Sequence, residues 1–248
     1  MLIQDKLAIA IPTYNERENV RKLITMLKDM FPRVRIFVVD DNSPDGTARV
    51  VKELQQKWDG IKLLCRPTKS GLASAYIRVF EEIMCNEGIE YIATMDADHS
   101  HSPSDLRKLL DYAEEFDLVV GSRYVAGGQT GQWSLWRRSL SKFGNVYARF
   151  ISRVPIGDLT AGFVIYNRSL LAELLDNEIT SEGYGFQIEM KCFAHKQHAK
   201  IKEVPITFID RNHGRSKLGK GSIWEGIVMP WYLRFNGSSA KKHLGGRR

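Results

Sequence analysis

Five short apolar runs recur through the first half of the chain, and helix-length amphipathic segments separate them. That alternation constrains the fold more than any other feature of the sequence. The runs are KLAIAIP (Lys6–Pro12), VRIFVVD (Val34–Asp40), IKLLC (Ile61–Cys65), YIATM (Tyr91–Met95) and DLVVG (Asp117–Gly121). Each is continuous rather than alternating, as a strand buried on both faces reads. The segments between them, such as ENVRKLITMLKDMF with Val20, Leu23, Ile24 and Leu27, repeat their apolar residues at helical spacing. Strand and helix in turn predict an α/β, Rossmann-like, mainly parallel sheet flanked by helices.

The second half is less regular. Helical patterns cover Arg138–Arg153, Arg168–Leu175, Phe186–Lys196 and Ser222–Phe235, and EVPITFID (Glu203–Asp210) reads as a strand. No repeat or long linker divides the chain. The expected organisation is a single domain over residues 1–236, with a basic, disordered tail at 237–248. The 248 residues suffice for a sizeable core. The three cysteines (Cys65, Cys85, Cys192) form no CxxC pair, which suits a reducing compartment rather than a disulfide frame or zinc site. The N-terminal MLIQDKLAIAIP has too short an apolar run for a signal peptide, and no stretch approaches the roughly 20 apolar residues that span a bilayer. A cytoplasmic location follows, in solution or on the cytosolic face of a membrane. The net charge of +7 permits nucleic acid, an anionic membrane or a phosphorylated substrate.

Polar residues collect where the predicted strands end: PTYNERE, VDDNSPDGT, MDADHSH and GSRY. Open α/β sheets bind ligands at the carboxyl ends of their strands, so four such clusters mark one site. Within it, Asp96 and Asp98 can converge on a hard divalent cation. Mg²⁺ and Mn²⁺ favour one or two carboxylates together with substrate phosphate oxygens. Ser100 either adds a third oxygen or caps the helix that follows. His99 and His101 read as packing or capping residues, because no thiolate or HExxH accompanies them. Neither a P-loop nor a strand-linked GxGxxG is present. The expected ligand is therefore a nucleotide diphosphate carried with its metal. Carboxylates at the sheet edge repel a bare polyanion, which argues against a nucleic-acid partner.

PTYNERENV, DDNSPDGT, MDADHSH, GSRY, DLTAGF, GYGFQIEM and EVPITFIDR…GRSKLG, in this order, resemble the dolichol-phosphate (polyprenol-phosphate) mannosyltransferases, inverting GT-A glycosyltransferases of family 2. The resemblance runs from about Leu7 to Gly219. It implies a GT-A fold and transfer of mannose from GDP-mannose to a polyprenyl or dolichyl phosphate. By position it implies that Pro12, Tyr14 and Glu16 line the nucleotide pocket, and that Val39 and Asp41 hold the base and ribose region. Asp96, Ala97 and Asp98 would bind the sugar-diphosphate and its Mg²⁺ or Mn²⁺, and Arg123 would meet phosphate groups. Arg211 and Lys217 would close over the diphosphate from a mobile loop. Arg137 and Ser141 match the stretch that receives the acceptor phosphate. This chain departs from the family in having His99 where Leu is common, Ser100 where some members have Gln, and GLA (Gly71–Ala73) in place of GLG.

An acceptor phosphate is already an anionic nucleophile at neutral pH, so the expected enzyme has no dedicated general base. In-line attack would invert an α-linked donor to a β-linked product. Two enzyme alternatives remain at this stage: UDP-glucose as donor to the same lipid, or a hydroxyl acceptor with Glu182 or Glu189 as base. Two helices bear on the lipid. On the first, about 133–153, Arg138, Lys142, Asn145, Arg149 and Arg153 read as a basic stripe beside Phe143, Val146, Tyr147, Phe150 and Ile151, with Trp133 and Trp136 just before. The second, about 222–235, carries Trp224, Ile227, Val228, Trp231, Tyr232 and Phe235. Both suit a helix lying in a membrane interface, or docking to a membrane-anchoring partner protein.

Overall fold

A computed structural model of the protein describes residues 3–131, 133–183, 185–209 and 220–235. The five apolar runs form strands β1 (Leu7–Thr13), β2 (Arg35–Asp40), β3 (Ile61–Cys65), β4 (Tyr91–Thr94) and β5 (Leu118–Ser122). Helices α1 (Arg17–Met30), α2 (Thr47–Lys57), α3 (Leu72–Met84) and α4 (Pro103–Leu110) connect them. The second half supplies α5 (Leu135–Ser152), β6 (Val164–Asn167), α6 (Arg168–Leu175), α7 (Gly185–Lys196), β7 (Ile201–Pro205) and α8 (Lys220–Phe235).

The strands make one sheet in the order β3-β2-β1-β4-β6-β5-β7. Every pairing is parallel except those of β6, which runs antiparallel to β4 and to β5. Side chains alternate across a strand, so β1 sends Leu7, Ile9 and Ile11 to one face and Ala8 and Ala10 to the other. The first set joins Val20, Leu23 and Ile24 of α1, Val50 and Val51 of α2 and Leu106 of α4 in one buried cluster. The second joins Tyr76 and Phe80 of α3, Leu170 of α6 and Phe186 and Ile188 of α7. The two clusters are the two halves of the core, one on each side of the sheet.

Among the boundaries that depart from the sequence expectation are those of β7 and α5. β7 begins two residues before the predicted Glu203 and ends at Pro205, because its ladder partner β5 offers only Leu118–Ser122. Beyond it, Thr207 makes a lone bridge to Gln129, and Asp210 lies outside the described residues. α5 begins three residues before the predicted Arg138, since the Ser134 hydroxyl caps it by accepting from the Arg137 N–H. The short β6 was not foreseen at all.

α5 and α8 pack on one another, and Trp231 Nε1 donates to the Tyr147 hydroxyl at 2.8 Å while that hydroxyl donates to the Ile227 carbonyl at 3.0 Å. Their outer faces are apolar. Leu135, Trp136, Leu140, Phe143, Val146 and Phe150 of α5 are exposed, Trp136 at 77% and Phe150 at 79%. Ile227, Val228, Trp231, Tyr232 and Phe235 of α8 continue the surface. Among the described residues, the other exposed large apolar side chains are Met26 and Ile209. The predicted basic stripe is also revised: Arg138, Lys142 and Arg149 are exposed, but Asn145 between them is buried. No described helix is long and apolar enough to cross a membrane.

Candidate active site

β1, β2, β4 and β5 run the same way, so the segments that follow them meet at one edge of the sheet. β6 runs the other way, and its reversal delivers the preceding DLTAGF (Asp158–Phe163) to that same edge. The strand order turns at β1, between β2 and β4, which is where an open α/β sheet leaves a crevice.

The loops after β1 and β2 are laced together by two carboxylates. Asp40 accepts from the Thr13 hydroxyl and from the Ser43 N–H and hydroxyl. Asp45, just before α2, accepts from the Thr47 N–H and hydroxyl and from the Arg17 N–H. Burial pushes the Asp45 carboxyl up, but these bonds outweigh it and hold the carboxyl below its ordinary value. Both aspartates are thus structural. Asp41 instead pairs with Arg66, whose Nε and Nη2 reach its two oxygens at 2.6 Å each. Arg66 also donates to the Ser74 hydroxyl and the Gly71 carbonyl. Gly71 has φ +91°, and a Cβ there would lie 2.9 Å from the Glu182 carbonyl oxygen, so GLA needs its first glycine. Tyr14 is half-buried under Lys69, whose Nζ is 4.4 Å from the ring, and Glu16 holds Asn19. Pro12 is half-buried at the end of β1. Val39 is fully buried among core residues, so its backbone rather than its side chain borders the edge.

Asp96, Ala97, Asp98 and Ser100 form the turn after β4. The Asp98 carboxylate accepts from the Ser100 N–H at 3.1 Å and is 5% exposed. The Ser100 hydroxyl is buried with no hydrogen-bond partner. A buried oxygen left orphaned in the turn that carries Asp96 and Asp98 fits a hard cation such as Mg²⁺ or Mn²⁺, so the residues present fit the group. Among the described residues no group of three or more His, Cys, Asp or Glu side chains could hold a metal ion. His101 is packed, stacked on Phe163 at 4.8 Å and edge-on to Phe208. Its Nδ1 accepts from the Asp96 N–H at 3.1 Å, which leaves the ring proton on Nε2. Burial lowers the pKa of His101, against the pull of Asp96 and Asp98, and keeps the ring neutral. His99 is half-buried at φ 62°, and burial lowers its pKa as well.

Arg123, at the end of β5, is seated in a cradle. Asp158 accepts from its backbone N–H at 3.0 Å, its Nε at 2.8 Å and its Nη2 at 2.7 Å, and Thr160 accepts from Nη2 at 2.8 Å. Asn145 of α5 locks Thr160 through its N–H and its hydroxyl. Glu203 fixes the loop from below through the Gly157 and Asp158 N–H groups. Burial pushes the Asp158 carboxyl up, but Arg123 prevails and holds it below the usual range. Gly128 folds back over this arginine; a Cβ there would lie 2.8 Å from the Arg123 carbonyl oxygen. Ser141 accepts from the Tyr124 hydroxyl at 2.7 Å, and Arg137 stands one turn before it on α5. The structure thus brings Arg123, Arg137 and Ser141 to the DLTAGF side of the edge. Asp158, Thr160 and Asn145 were missed as site residues. The signal for the first two was DLTAGF, and Asn145 was read only as part of the basic stripe on α5. Arg211 and Lys217 lie outside the described residues.

Glu189 is fully buried, and its two oxygens accept from the N–H and hydroxyl of both Thr180 and Ser181. It clamps a loop. Glu182 offers its backbone carbonyl to the Leu72 and Ala73 N–H groups. Lys191, buried beneath the Arg123 cradle, donates to the Ala161 and Gln187 carbonyls, and burial pushes its pKa down to about 7.

A mainly parallel sheet with paired carboxylates at its switch point is the architecture of GT-A nucleotide-sugar enzymes. The chain belongs to glycosyl transferase family 2, whose family profile matches residues 8–175. It is 40% identical over 230 residues to a polyprenol monophosphomannose synthase of Mycolicibacterium smegmatis, covering 91% of this chain and 86% of the relative. It is 37% identical over 237 residues to an undecaprenyl-phosphate mannosyltransferase of Micrococcus luteus, covering 95% of this chain and 97% of the relative. A solved glucosyl-3-phosphoglycerate synthase from Mycobacterium tuberculosis, in complex with Mn²⁺, UDP and glucosyl-3-phosphoglycerate, shares the fold. Its TM-score is 0.65 at 16% identity, over 92% of this chain and 79% of that one.

Proposed function

We propose that the protein transfers mannose from GDP-mannose to a polyprenyl phosphate, with inversion, while lying on a membrane surface. The observation that carries this reading is the 40% identity, over nearly the whole chain, to a protein named polyprenol monophosphomannose synthase. Residues 1–236 act as one catalytic unit in this reading.

Asp96, Asp98 and Ser100 would hold Mg²⁺ or Mn²⁺, which when bound supplies positive charge to the leaving diphosphate. Tyr14, Glu16 and Asp41 border the nucleoside end of the crevice. Arg123 and Arg137 bind the acceptor phosphate, and Ser141 adds a hydroxyl. Because Asp158 and Thr160 fix Arg123 before substrate arrives, little reorganisation is needed when charge develops. The phosphate oxygen itself is the nucleophile, and no side chain needs to take a proton from it. Two features support a base-free step: the Glu189 oxygens are already occupied by four donors, and His101 is buried and packed. The inner face of α5 carries Ser141 and Asn145 at the site, and its outer face is apolar. A lipid lying along that outer face would have its phosphate near the sheet edge, while Arg138, Lys142 and Arg149 meet anionic headgroups.

The test is transfer of labelled mannose from GDP-mannose into organic-extractable lipid by purified protein, with Mn²⁺ or Mg²⁺ and polyprenyl phosphate in detergent. UDP-glucose is the parallel donor. Labelled lipid from GDP-mannose alone, lost on adding EDTA, is the expected outcome. Label from UDP-glucose in its place, or undiminished transfer in EDTA, would overturn the donor or the metal assignment respectively.

A further inference from the structure

Trp133 was expected beside Trp136 in a headgroup zone, but the structure turns it inward. It is half-buried just before α5, edge-on to Phe208 at 5.3 Å, with its backbone N–H donating to the Thr130 carbonyl. Arg137 has its guanidinium carbon 4.2 Å from the centre of this ring, and Arg123 has its own at 5.5 Å. The two arginines come from different parts of the fold, one from α5 and one from the end of β5. Among the described contacts, Trp133 is the aromatic ring they share. Two cations beside one ring repel each other, and the negative π face offsets part of that repulsion. The indole Nε1 is buried and has no hydrogen-bond partner among the described residues. A buried donor without an acceptor is costly, so the position suits a ligand oxygen.

We propose that Trp133 is a positioning residue for the acceptor phosphate: its ring sets the spacing of Arg123 and Arg137, and its N–H supplies a further donor to the anion between them. Phe would keep the ring and lose the donor; Leu would lose both. Three side chains then act as one phosphate receptor, built from a strand end, a helix and the residue that joins them. This inference rests on the mannosyl-transfer reading for the identity of the anion.

Two measurements on the full chain test it. In the first, Trp133→Leu raises the KM for polyprenyl phosphate by about tenfold or more. Trp133→Phe gives a smaller rise, and both variants keep the KM for GDP-mannose within about twofold. Equal rises for both substrates, or a Phe variant as impaired as the Leu variant, would overturn the spacing role. If the Leu variant does not fold, Arg137→Lys replaces it, since Lys keeps the charge and loses the planar stack. In the second, tryptophan emission is titrated with farnesyl phosphate and with farnesol. The expected change occurs with farnesyl phosphate alone and disappears in Trp133→Phe. A change that persists in Trp133→Phe, or is equal with farnesol, sinks the proposal. Wild-type protein that makes no mannolipid but passes this titration would cost the mannosyl reading and leave the anion receptor standing.

Discussion

Helices α1 and α5 are both amphipathic, yet they face opposite ways. α1 turns Val20, Leu23, Ile24 and Leu27 onto the sheet and leaves Arg21, Lys22 and Glu18 outside. α5 buries Asn145, Ala148 and Ile151 and leaves Leu135, Trp136, Leu140, Phe143, Val146 and Phe150 in the open. Helical periodicity is equally clear in both, so periodicity alone does not tell which side meets the core. What differs is the neighbour. α1 covers strands with large apolar side chains, whereas α5 covers a polar cradle that holds an arginine. Its inner face must be small and hydrogen-bonding, and its aromatic residues are left exposed.

The comparison can be broken most severely at the cradle. Asp158→Ala leaves the buried Arg123 guanidinium without its counter-charge, and a loss of about 3–5 kcal/mol of folding stability is expected. Chemical denaturation measures it; a loss no larger than that of a surface substitution would mean that the cradle does not hold α5 in place. A matched pair of truncations sharpens the contrast between the helices. Leu23→Ala should cost about 2–5 kcal/mol of stability and leave vesicle binding unchanged. Phe150→Ala should leave stability nearly unchanged and weaken partition onto anionic vesicles by about 2 kcal/mol, roughly thirtyfold. Sedimentation with vesicles reads the second effect, and equal binding by wild type and Phe150→Ala would remove α5 from the membrane interface.

The smallest effect probes the floor of the site. Lys191 is fully buried, with Asp158 and Glu203 favouring its charge and Arg123 opposing it. Folded, it releases its proton near pH 7; unfolded, it keeps it to about 10.5. Between those values the unfolded chain binds more protons, so raising the pH favours folding. Wild type should therefore gain on Lys191→Met above pH 7, by at most about 1.4 kcal/mol per pH unit, and not below it. Denaturation of the two proteins from pH 6 to 9 gives this difference, and parallel curves would contradict it.

The strands of the parallel half were legible because each is buried on both faces and reads as an unbroken apolar run. β6 was not, since Val164–Asn167 is four residues long and begins inside a motif noticed for its polar part. The carboxylates at the edge were legible for a related reason: strand ends are where a sheet of this kind presents side chains. The partners of those residues were not. Nothing in the spacing of Asn145, Thr160 and Asp158 says that they meet on Arg123, because a helix, a loop and a strand end bring them together only in three dimensions. Trp133 was read with Trp136 as a pair, yet Trp133 lies before the cap residue Ser134 and is half-buried, while Trp136 lies on α5 and is exposed. Asp40 and Asp45 show the converse, since acidic residues in the most suggestive loop serve to hold it shut.

The reversed strand has a final consequence, for distance. Val164 pairs with Thr94 on one side and with Val120 on the other, so the ends of β4 and β5 stand level with one full strand between them. At about 4.8 Å per strand, that interval is about 10 Å. It separates the turn bearing Asp96 and Asp98 from the one bearing Arg123. The gap is a gauge block made of backbone hydrogen bonds, and its width is independent of the side chains in the cleft. If the proposed reading holds, substitutions there can change which sugar or which anion is gripped, while the span across which donor and acceptor would face each other belongs to the sheet.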